Sequence, residues 1–165
     1  MNRINQYLLG ILLLGMISFT GIVVKSGSDS LSDGPYNPKS VVVNSLLTPY
    51  VNEYISLLEA EEIKIPWGKD LVLIGFDPGL PSNILGIAWG MDIDNVTVID
   101  MNMKQWFHLS EQQRRLLVFH ELTHDVFNTQ HFETPLMNTP MPRYVSKLKV
   151  DSAMQELIKY LNNKK

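Results

Sequence analysis

The chain has 165 residues, of which 45 % are hydrophobic and 19 % charged, with a net charge of −3 and no cysteine. One domain is the expectation from length, and the mild acidity excludes a strongly basic nucleic-acid binder. The missing cysteine excludes disulfides, thiolate metal sites, cysteine nucleophiles and cysteine-linked lipid anchors, leaving histidine and carboxylate as metal ligands.

No charged residue lies between Arg3 and Lys25, and the densest apolar run is Leu8 to Ile17. A basic start followed by such a run has the form of a secretory signal. Ile4 to Val24 is also long enough to span a bilayer as a helix, which takes about 20 residues. Residues 1–25 are therefore read as a signal peptide or a membrane anchor. Either reading makes the chain extracytoplasmic, secreted or membrane-anchored by residues 4–24. Residues 26–40, SGSDSLSDGPYNPKS, have almost nothing to bury and read as a flexible tether. The folded domain is then 41–165, with 11 basic and 15 acidic side chains, a balance of −4.

Leu46 to Ile63 reads as a helix, with Tyr50, Tyr54, Leu57, Leu58 and Glu61 at helical spacing, Thr48 as cap and Pro49 at the first position. Leu71 to Phe76 is a continuous apolar run of the kind that forms a buried strand. Residues 77–83, DPGLPSN, are turn chemistry. Leu85 to Met91 and Val96 to Met101 are two further strands, and Asp92, Asp94 and Asn95 between them suit a hairpin. Ser110 and Gln113 have capping-box spacing and open the strongest helix. Val118, Phe119, Leu122 and Val126 form its apolar back, and His120, Glu121 and His124 project from the other side. Asp151 to Leu161 is the last helix. The expected fold is a single α+β domain, a small mixed sheet packed on the active-site helix and flanking helices.

Residues 120–131 read HELTHDVFNTQH and contain H-E-x-x-H as His120, Glu121 and His124. Two histidines at i and i+4 lie one turn apart on one helix face, so both can reach one zinc ion. Glu121 is then adjacent without being a ligand. A catalytic zinc takes a third protein ligand and leaves one position open. His131 is the candidate, because Asn128 tolerates the left-handed conformation that ends a helix and turns the chain back. The rival is Glu156 on the last helix, which would make a two-His, one-Glu site.

These residues resemble the metzincin zinc metallopeptidases, whose signature is H-E-x-x-H-x-x-G-x-x-H followed by a turn carrying a methionine beneath the metal. Here His120, Glu121, His124 and His131 are followed by Pro135-Leu-Met-Asn138, which puts Met137 in the place of the turn methionine. Phe127 occupies the family's glycine position and the third histidine comes one residue late. Asn128 as the turning residue accounts for both departures. The longer spacing is similar to that of small bacterial metallopeptidases with H-E-x-x-H-x-x-L-x-x-x-H and a Ser-Ile-Met-like turn. The resemblance covers residues 96–137 and implies a metzincin-like catalytic domain, Zn²⁺ as cofactor, Glu121 as general base and a peptide or protein substrate.

Asp125, Glu133 and Asp100 are candidates to orient a ligand imidazole, though each also reads as a solvated carboxylate. Tyr144 is a candidate donor to an oxyanion, or simply a surface tyrosine. Trp67, Trp89 and Trp106 read as core or rim residues. Arg114 and Arg115 read as a solvated pair at a helix start, and the lysines are too scattered for a nucleic-acid patch. The alternative function is a membrane-tethered or secreted binding domain with a structural or degenerate metal site, closed by a fourth ligand such as Glu133 or Glu156.

Overall fold

The structure is a computed structural model that describes residues 40–89 and 95–164. The N-terminal apolar run, the tether up to residue 39, and Asp92 and Asp94 of the expected hairpin loop lie outside the described residues. No helix among the described residues is long and apolar enough to cross a membrane.

Val- and Ile-rich runs build a four-stranded sheet from β1 (Val41–Val43), β2 (Leu71–Asp77), β3 (Gly86–Ala88) and β4 (Val96–Asn102), in the order β1-β2-β4-β3. β1 and β2 are parallel, with Val42 opposite Leu73, and β2 and β4 are parallel, with Leu73 opposite Val98. β3 runs antiparallel to β4, with Ile87 opposite Asp100, and forms one edge. Parallel neighbours need a crossover, and helix α1 (Thr48–Glu59) supplies the one from β1 to β2. The sheet is thus mixed and the architecture α+β.

Alternation along the strands puts Val43, Ile74, Ile99 and Met101 on one buried face. Gly86 and Ala88 pair with Met101 and Ile99, so they face the same way. Against this face lies the helix α3 (Glu111–Phe127), after a short helix α2 (Met103–Trp106), and α1 packs on α3. Helix α4 (Lys147–Asn163) closes the layer with Val150, Met154, Leu157 and Ile158. Each such fully buried aliphatic or aromatic side chain contributes about 1.5–3 kcal/mol of transfer free energy.

Element ends differ from expectation for local reasons. Thr48 lies inside α1, and its hydroxyl donates back to the Asn44 carbonyl at 3.2 Å instead of capping. α1 stops at Glu59 because Glu62 turns left-handed (φ 56°), which carries Ile63 into the core after the helix. α4 begins four residues before Asp151, capped by the Ser146 hydroxyl accepting from the Lys149 amide at 3.2 Å. Its first turn has Leu148 exposed, which breaks the apolar stripe that marked the helix.

Two polar links fix α3 in place. The Tyr54 and Thr123 hydroxyls share a buried hydrogen bond of 2.9 Å between α1 and α3. Arg115 is buried and pairs with Glu53 of α1 at 2.7 Å and Asp151 of α4 at 2.6 Å. The reading of Arg115 as a solvated side chain is therefore corrected: it joins three helices. Arg114 donates to the Trp106 carbonyl at 3.0 Å and lies over the Trp106 ring.

Candidate metal centre

Helix α3 carries the H-E-x-x-H residues, and its ends are chemically specified. At the start, the Ser110 hydroxyl accepts from the Gln113 amide at 3.3 Å, and the Gln113 side chain accepts from the Ser110 amide at 2.9 Å. At the end, Asn128 adopts φ 48°, ψ 43°, the left-handed conformation expected of it. The chain turns there and comes back along the helix as residues 129–137, ending in a 3₁₀ turn at Pro135–Met137.

That return brings three imidazoles together. His120 and His124 meet edge to face with ring centroids 4.6 Å apart, and their Nε2 atoms are 3.1 Å apart. His131 stacks on His120 at 5.3 Å and meets His124 at 4.5 Å. One ligand nitrogen from each of the three lies within 4.8 Å of the others, with His120 and His124 buried and His131 exposed. Imidazole nitrogens held tetrahedrally at ~2.0–2.1 Å from one metal stand about 3.3 Å apart.

The second nitrogen of each helical histidine determines the tautomer. His120 Nδ1 lies 2.9 Å from the Leu136 carbonyl oxygen, and His124 Nδ1 lies 2.6 Å from that of Thr129. A carbonyl only accepts, so each Nδ1 carries the proton and each Nε2 presents a lone pair. Two lone pairs facing each other at 3.1 Å repel unless a cation joins them. A second proton is a poor candidate for that cation. Burial pushes His120 down to about 4, helped by the neighbouring histidines, and burial also lowers His124. The donor set, three nitrogens with no thiolate, fits a metal ion.

Glu121 is buried on the side facing β3. Burial pushes its carboxyl up to about 8, with Asp125 adding to the rise, while the Ala88 amide donates to it and acts in the opposite sense. The strand makes room for it at one point. A Cβ on Gly86 would lie 2.9 Å from Glu121 Oε1 and 2.9 Å from its Cγ, closer than ordinary contact allows.

The remaining candidates fall at different distances from this centre. Met137 is fully buried in the 3₁₀ turn whose Leu136 carbonyl holds His120. Asp125 is buried and accepts from the Val98 amide of β4 at 3.3 Å. Asp100 accepts from the Trp89 indole at 3.0 Å. Glu133 accepts from the Tyr160 hydroxyl of α4 and from the Gln130 amide, tying the His131 loop to that helix. Tyr144 is exposed, and Glu156 pairs with Lys159 on the surface of α4 at 2.7 Å. His120 and His124 are thus oriented by the backbone carbonyls of Leu136 and Thr129, and not by the candidate carboxylates Asp125, Glu133 or Asp100. Carbonyls leave no trace in residue type, so only the return of the loop reveals them. Gly86 had a readable signal: a side chain missing from a strand.

No known family model matches the chain, and neither characterised proteins nor solved structures show a significant match to it.

Proposed function

We propose that the protein is a zinc-dependent peptidase with His120, His124 and His131 as ligands and Glu121 as general base. The observation that carries this reading is the convergence of the two Nε2 lone pairs, each fixed by a carbonyl on the opposite ring nitrogen. Three histidines leave one position of a tetrahedral ion open, which is the pattern of hydrolytic sites rather than closed structural ones.

Zinc bound there would lower the pKa of its water towards about 7 and polarise the scissile carbonyl. The Glu121 carboxylate takes the proton of the attacking water and later delivers it to the leaving amine. The raised affinity of Glu121 for a proton suits the delivery step, and a nearby divalent charge favours the ionised form needed for the first step. β3 is an edge strand, and its Ala88 amide donates to Glu121, so its outer edge borders the reacting groups. An extended peptide would add to that edge through main-chain hydrogen bonds. Residues 4–24 would place this activity outside the cytoplasm, on a membrane if that segment is retained.

The test is digestion of a mixed peptide library by the purified full chain, with zinc and with chelator, beside Glu121→Gln. Cleavage that needs zinc and is lost in Glu121→Gln is the expected result. Stoichiometric zinc with no cleavage by any form would overturn the peptidase reading in favour of a metal-holding binding domain.

A further inference from the structure

Phe132 follows the third histidine directly and is an unlikely choice for stability. Its φ is 67°, in the left-handed region that a bulky side chain rarely adopts. It occupies the third position of a turn in which the Glu133 amide reaches back to the Gln130 carbonyl at 3.5 Å. Gly or Asn ordinarily fills a turn position with positive φ. The ring gains no burial in return, since Phe132 is 70 % exposed. Strain held by an exposed aromatic is a feature of functional surfaces, because folding alone would select against both properties.

The turn holds this ring beside the metal ligands. An extended dipeptide points successive side chains to opposite sides. Left-handed Phe132 instead keeps its ring centroid 6.2 Å from that of His131, in an edge contact. Three bonds fix the backbone there: the Phe132 amide donates to the Met137 carbonyl at 3.1 Å, and Glu133 accepts from both the Gln130 amide and Tyr160. The aromatic is therefore presented on a pinned turn beside His131, the exposed member of the triad.

We propose that Phe132 is a specificity-determining residue, an aromatic platform that receives an apolar side chain of the substrate held at the three histidines. The proposal rests on the peptidase reading and narrows it to substrates with an apolar or aromatic residue beside the scissile bond. An apolar group seated on the platform loses water-exposed surface together with the Phe132 ring, and a polar group in the same place does not.

The test uses two metal-chelating probes that differ only in an apolar group, acetohydroxamate and 3-phenylpropanohydroxamate, and needs no turnover. Zinc content is measured first on the purified full chain, on Phe132→Asn and on Phe132→Tyr. Asn tolerates the left-handed backbone, so this variant keeps the turn. The wild type is expected to bind the phenyl probe on the order of ten-fold more tightly than acetohydroxamate. Phe132→Asn is expected to lose that preference with zinc content and acetohydroxamate affinity unchanged, and Phe132→Tyr to retain it. An undiminished preference in Phe132→Asn would overturn the platform and leave the metal site standing. Absence of zinc from all three proteins would overturn the peptidase reading, and the platform with it.

Discussion

The Nε2 atoms of His120 and His124 face each other at 3.1 Å while Leu136 and Thr129 carbonyls hold the opposite ring nitrogens. Both carbonyls come from the segment that follows Asn128, so one left-handed residue sets the orientation of two histidines and the position of a third. Helix and loop thereby form one unit: the helix supplies spacing and the loop supplies tautomer.

Replacing Glu121 by Gln keeps size and removes the base. Turnover is expected to fall by about 10²–10⁴-fold, with zinc content unchanged at one per chain. Steady-state hydrolysis and metal analysis on the same preparation check this. Unchanged turnover would remove Glu121 from the mechanism.

The two candidate third ligands separate by substitution. His131→Ala is expected to weaken zinc binding sharply, whereas Glu156→Ala, which removes only the surface pair with Lys159, leaves it intact. Competition with a chromophoric chelator measures both. Zinc lost only in Glu156→Ala would put the ligand on α4.

Gly86→Ala introduces a methyl group 2.9 Å from the Glu121 carboxylate. Overpacking of this kind costs about 1–3 kcal/mol, and the carboxylate is displaced as well. Lower stability in urea together with lower turnover at full zinc occupancy is expected. A variant equal to wild type in both would show that the strand does not confine Glu121.

The metal-free protein is expected to have opposing pH dependences from its buried groups. His120, lowered to about 4 from 6.5, contributes stability that is complete above pH 6.5 and is lost as pH falls towards 4. Glu121, raised to about 8 from 4.5, contributes stability that is complete below pH 4.5 and is lost as pH rises towards 8. His124, also lowered by burial, acts in the same sense as His120; both oppose Glu121, whose slope is the larger above pH 6.5. Raising pH from 6.5 to 8 is expected to lower stability by about 1 kcal/mol, the Glu121 loss being partly offset by the histidines. Urea midpoints of chelator-treated protein at pH 6 and pH 8 measure it, and Glu121→Gln should flatten the difference. A higher midpoint at pH 8 would contradict the burial of Glu121.

The helix carrying His120, Glu121 and His124 was legible because its signals are local: a Ser110–Gln113 capping box, an apolar back and Asn128 at the end. β2 and β4 were legible as apolar runs, and pairing of the third strand with β4 followed from the turn residues between them. The parallel order was not legible, because β1 is only three residues long and its pairing with β2 is set across the α1 crossover. Burial of His120 and Glu121 was hidden for the same reason. Their helix face reads as polar, and only tertiary structure places β3 and the returning loop over it. Arg115 read as solvated because its partners Glu53 and Asp151 are 62 and 36 residues away in the chain.

A three-histidine zinc site is tested by measuring zinc per chain in the purified 165-residue chain dialysed at pH 7, beside His120→Ala. One zinc per chain in the wild type and none in His120→Ala is the expected result. A wild type that retains no zinc when supplied with it would contradict a metal site at His120, His124 and His131.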